Sequence, residues 1–135
     1  MTDLSVPTLA AALERLQADD AAFDSLLAPH GESASLRPLL LSLLQTKHAA
    51  LKADADMNLV ADILRRDQKF SPPGRPSVHL VKLRTQQAST KQAALVARQA
   101  YGRAAQDFVR ALDLKITPRL TPIALTDRWL QMRLT

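Results

Sequence analysis

Cysteine is absent from this chain of 135 residues. That excludes a disulfide framework, a thiolate zinc site and a cysteine nucleophile, and it is compatible with a reducing cytosol. Aromatic residues make up only 4% and glycine occurs three times, so the residues that favour strands are too sparse for a rich sheet. Long apolar runs are missing: Leu39 to Leu44 is the most apolar stretch, far short of the roughly 20 residues that span a bilayer. Asp3 and Pro7 stand where a secretory leader needs positive charge and then an apolar run. A cytoplasmic protein without membrane contact is the expectation.

Catalytic signatures are lacking as well. There is no H-E-x-x-H, G-x-S-x-G, Walker loop or G-x-G-x-x-G. The histidines are His30, His48 and His79. His48 falls on the edge of a leucine-rich face and reads as a partly buried side chain with its hydrogen bonds satisfied. Asp54, Asp56 and Asp62 have no glycine nearby for the sharp turn of a calcium loop. Helix capping and a solvated face explain them. No enzyme, cofactor or metal is expected.

What the chain does have is Ala, Leu, Gln and Arg in abundance, all good helix formers. A single core is within its reach, since a domain of this size buries roughly 68% of its unfolded surface. Leu9, Leu13, Leu16, Phe23 and Leu27 recur at helical spacing after Pro7. Ser35 reads as the N-cap of a central helix with Leu36, Leu40, Leu43, Leu44 and Leu51 on its buried stripe. Asp54 or Asp56 reads as the cap of a further helix carrying Val60, Ile63 and Leu64. Ser71-Pro72-Pro73-Gly74-Arg75-Pro76-Ser77 cannot continue a helix and predicts a stiff linker. Thr121-Pro122 opens a last helix with Ile123, Leu125, Trp129, Leu130 and Met132. The expected architecture is all-α: a helical bundle over 1–70, a proline-rich linker over 71–77, and a long helix plus a short C-terminal helix over 78–135.

Charge divides at that linker. Residues 1–74 hold seven Lys/Arg against ten Asp/Glu, a balance of −3. Residues 75–135 hold eleven Lys/Arg against Asp107, Asp113 and Asp127, a balance of +8. Such asymmetry points to a basic surface kept for something acidic, or to two halves that attract each other.

Residues 78–114 carry a heptad pattern: Leu80, Leu83, Gln87, Thr90, Ala94, Ala97, Tyr101, Ala104, Phe108 and Ala111, in steps of three and four. Val78 to Thr85 also alternates like a strand. As one helix, 78–114 runs about 55 Å, whereas a compact globule of this size is about 37 Å across. Either the helix bends near Gly102, or another chain covers the overhang. The second option predicts a homodimer or a helical partner with an acidic surface. Leu80, Leu83, Tyr101 and Phe108 would make that contact, with Trp129 anchoring the last helix or serving as a hot spot.

Arg84, Lys91 and Arg98 are spaced by seven, and Arg103 and Arg110 form a second set. Solvated flanks of a helical interface are one reading. Phosphate contacts in a small DNA- or RNA-binding regulator are the other. Gly74-Arg75-Pro76 carries the core of a minor-groove hook, so Arg75 joins the candidate phosphate contacts, but Pro73 stands where that hook has a second arginine. The preferred reading is a non-catalytic helical adaptor or scaffold.

Overall fold

The computed structural model describes residues 5–18, 33–70, 78–112 and 119–134, with the side chains of 33–35 left aside. They form four helices: α1 (Val6–Ala18), α2 (Ser33–Phe70), α3 (Val78–Ala111) and α4 (Pro122–Leu134). The fold is all-α, and the strand-like stretch Val78 to Thr85 forms the first turns of α3. Helix starts follow local chemistry. The Thr8 amide donates to Ser5 Oγ at 3.3 Å, and the Ala124 amide donates to Thr121 Oγ1 at 3.3 Å. Each is an N-cap satisfying an amide that the helix leaves without a partner. Pro122 occupies the first helical position, as expected.

The expectation of two helices over residues 35–69 is corrected. α2 is one helix of 38 residues, and neither Asp54 nor Asp56 caps anything. After Pro38 no glycine or proline interrupts it, and its stripe runs on through Leu43, Ala50, Met57 and Leu64, in steps of seven. Asp54 instead accepts from Arg98 Nη2 of α3 at 2.6 Å.

α2 and α3 lie antiparallel. His79 pairs with Asp67 at 2.7 Å, Arg98 with Asp54, and Lys47 Nζ sits 4.8 Å from the Tyr101 ring centroid. Numbers on one helix rise as those on the other fall. At roughly 1.5 Å per residue the two helices run about 57 and 51 Å, both longer than a compact globule of this mass is wide.

Among the described residues, one end is a base of four helices. Its core holds Leu9 and Leu16 from α1, Leu36, Leu40, Leu43, Leu44 and Ala50 from α2, and Tyr101, Ala104, Ala105, Phe108 and Leu112 from α3 and its C-terminal end. Trp129 and Leu130 of α4 complete it. Side chains from both sides of the proline cluster therefore share this core. That cluster, 71–77 with Arg75, lies outside the described residues.

Among the described residues, the two long helices continue alone beyond Leu51 and Ala97 as an arm of about 28 Å. Its buried side chains are few: Val60, Leu64, Leu80, Leu83 and Ala94. Contrary to expectation, the overhang does not require another chain to cover its seam. The rod does overrun a globule, but α2 is a rod of matching length in the same chain, and it covers the seam.

Candidate interaction surface

Five side chains singled out as a partner interface sit in the interior. Phe108 is fully buried, and Leu80, Leu83, Tyr101 and Trp129 are each at most 8% exposed. Phe108 and Trp129 meet edge to face, with centroids 4.9 Å apart, the geometry that ring quadrupoles favour. Leu80 and Leu83 pack with Leu64 near the tip of the arm. In this chain the seam is internal packing.

Asp127 of α4 fastens three helices. Its Oδ1 accepts from Lys47 Nζ of α2 at 3.0 Å and from the Tyr101 hydroxyl of α3. Burial first, then the hydrogen bond to Asp127 and its charge, keep the Tyr101 phenol protonated far above its ordinary range. Beside this node, fully buried Thr126 donates to the backbone carbonyls of Pro122 and Ile123. The sequence offered only a faint signal for the node: Lys47 stands seven residues after Leu40, beside the leucine-rich side of α2.

Placed on the heptad, the outer surface of α3 has a clear order. One row, Val81, Ala88, Leu95, Gly102 and Val109, advances by seven along a single side of the helix. The neighbouring row is Arg84, Lys91, Arg98, Ala105 and Leu112. In the base both rows are covered. A Cβ on Gly102 would meet Ile123 Cδ1 of α4 at 3.7 Å, Val109 and Ala105 are fully buried, and Leu112 is nearly so. On the arm they are bare. Val81 is 51% and Leu95 48% exposed, and Ala88, Arg84 and Lys91 are exposed. Val96 and, on α2, Leu59 are exposed apolar side chains as well. Sequence reading missed these residues because it followed the stronger seam. The row of Val81, Ala88 and Leu95 was legible as a second apolar heptad position.

The candidate phosphate contacts do not form one surface. Arg84, Lys91 and Arg98 share one row, with Arg98 bound to Asp54. Arg103 and Arg110 occupy another row of the base half, both exposed. Arg75 lies outside the described residues. Along α3 six cations face a single acid of that helix, Asp107.

His48 is half-buried and His30 lies outside the described residues. Asp54 and Asp62 are engaged by Arg98 and Arg65. No three His, Cys, Asp or Glu side chains converge among the described residues. There, too, no helix is long and apolar enough to cross a membrane. A shallow hollow of about 250 Å³ lies between α1 and the end of α4, lined by Thr8, Ala11, Ala12, Arg15 and Leu134. No family model, curated protein or solved structure matches the chain.

Proposed function

We propose that this chain is a non-catalytic helical interaction module, an adaptor or scaffold, whose working surface is the arm and above all α3. One observation carries the reading: the arm extends past the four-helix base while leaving Val81, Leu95, Val96 and Leu59 in water. Exposed apolar area forgoes about 25 cal/mol per Å² that burial would return. Single exposed apolar side chains are ordinary, but here several lie along one thin projection. A companion helix would cover them. A second copy and an unlike helical protein with an acidic surface both satisfy this reading, in a cytoplasmic setting.

The test is whether the arm touches protein in cells. A photoreactive residue replacing Leu59 or Leu95 in the full chain is expected to give discrete protein adducts, and one replacing the exposed Gln106 of the base to give none. Light scattering distinguishes a second copy by doubling the particle mass. Absence of adducts from every arm position refutes the proposal.

A second reading, a small nucleic-acid-binding regulator, is favoured by the exposed cations Arg84, Lys91, Arg103 and Arg110. It expects retention on duplex DNA or RNA that falls steeply between about 50 and 200 mM salt. No retention at the lower salt removes it.

A further inference from the structure

We infer that the arm carries a second helix seat, continuous with the one α4 occupies, and that its ligand is an acidic amphipathic helix from another protein. The inference rests on the reading of the arm as a protein-binding element and names the partner's chemistry.

α4 shows how this chain binds a helix. It runs parallel to α3: Ile123 lies over Gly102, and six residues further on each helix Trp129 meets Phe108. It lies against Gly102, Tyr101 and Phe108, and the row that carries Gly102 runs on to the buried Val109. Ile123 stands one residue after the start of α4, so the helix stops there, while the side it covers continues. Seven residues back along the row from Gly102 is Leu95, then Ala88, then Val81, with side chains that are small or apolar and exposed. The row is the same, and among the described residues nothing covers it.

The edge of the seat changes in kind. In the base it is formed by buried Ala105 and Leu112. On the arm the equivalent positions are Arg98, Lys91 and Arg84. Arg98 is held by Asp54, while the one acid of α3, Asp107, lies far along the helix from Arg84 and Lys91. A helix lying along Val81, Ala88 and Leu95 must therefore bring carboxylates to that edge, as α4 brings Asp127 to Lys47. Like charges facing each other are unfavourable. That argues against the arm of a second copy: α3 is basic, and the arm part of α2, 51–70, carries four cations against four acids, so neither helix brings an excess of carboxylates.

Two experiments on the full chain test this. First, a synthetic helix of about three heptads, with leucine at every seventh position and glutamate along one edge, is titrated by fluorescence anisotropy. A lysine-edged counterpart is the control. The glutamate helix is expected to bind and the lysine helix not. Arg84→Glu with Lys91→Glu should weaken the glutamate helix at least about tenfold, as opposite charges become like, and admit the lysine helix. Leu95→Arg should also weaken it, although it adds positive charge. That outcome distinguishes a seated helix from simple attraction to a basic surface. All three side chains are exposed, so circular dichroism should be unchanged. Binding that survives Leu95→Arg, or no binding by the unaltered chain, overturns the inference.

Second, photo-crosslinking from Ala88 in cells should yield adducts mapping to a helical segment rich in Asp or Glu and lost on Leu95→Arg. Adducts from Leu59 alone leave protein binding intact but overturn this seat. Adducts from Ala88 to a second copy overturn the foreign partner, and adducts from no arm position overturn both readings.

Discussion

Replacing Phe108 by alanine should divide the molecule into two stability zones. The ring is fully buried at the centre of the base core and loses its edge-to-face contact with Trp129. A buried Phe→Ala change costs about 3–5 kcal/mol, and the lost aromatic pair keeps this site off the lower end, at about 4 kcal/mol. Against a total stability of about 5–15 kcal/mol that is a large loss, visible in urea unfolding followed by circular dichroism. Hydrogen exchange localises it. Amides of the base, within 36–50 and 101–111, exchange through openings that expose Phe108, so they should speed up about a thousandfold. Amides of the outer arm, within 60–70 and 78–90, can exchange when α2 and α3 part beyond Val60 and Ala94, with the base intact. Phe108 is equally packed before and after that opening, so their rates should hardly change. Equal acceleration in both zones would refute this reasoning, because arm and base would then open as one cooperative unit.

Gly102→Ala should stabilise the chain by up to about 1 kcal/mol, since glycine is a poor residue inside a helix and the new Cβ would meet Ile123 at an ordinary 3.7 Å. Thermal melting checks it, and a lower midpoint would show that α4 cannot accommodate the methyl group. Tyr101 holds its proton more tightly folded than unfolded, so its contribution is complete below about pH 10 and is lost as pH rises above that value. Urea unfolding between about pH 9.5 and 11.5 should show stability falling by about 1 kcal/mol per pH unit more than in Tyr101→Phe; identical slopes would contradict the burial of that phenol. Arg98→Ala should cost under about 1 kcal/mol, because its pair with Asp54 is partly exposed. A much larger loss in chemical unfolding would mean that this pair sets the register of the two long helices.

Much of this architecture is legible from residue order. Thr121-Pro122 marks the start of α4 because a side-chain cap and a fixed φ act locally. The span from Val78 reads as one helix because nothing breaks it for more than thirty residues. Residues 52–57 are misread for the same local reason. An aspartate looks like a cap until a distant arginine claims it, and Asp54 meets Arg98, 44 positions away. The candidate surface was half visible. The cations Arg84 and Lys91 stand out by type, but Val81, Ala88 and Leu95 matter only once α2 is known to occupy the stronger seam.

Composition and periodicity by themselves determined the helical class, the long amphipathic rod, the basic second half and the absence of cysteine chemistry. These are properties of short windows or of totals. Only tertiary structure decided what covers the rod. Pairing α2 with α3 depends on contacts between residues far apart in the chain, such as Asp54 with Arg98 and Leu64 with Leu83, and a pattern that repeats every seven residues fits any partner of equal period. Hydrophobic matching has no direction and no address. The choice between a neighbour in the same chain and one in another is made by length and register together.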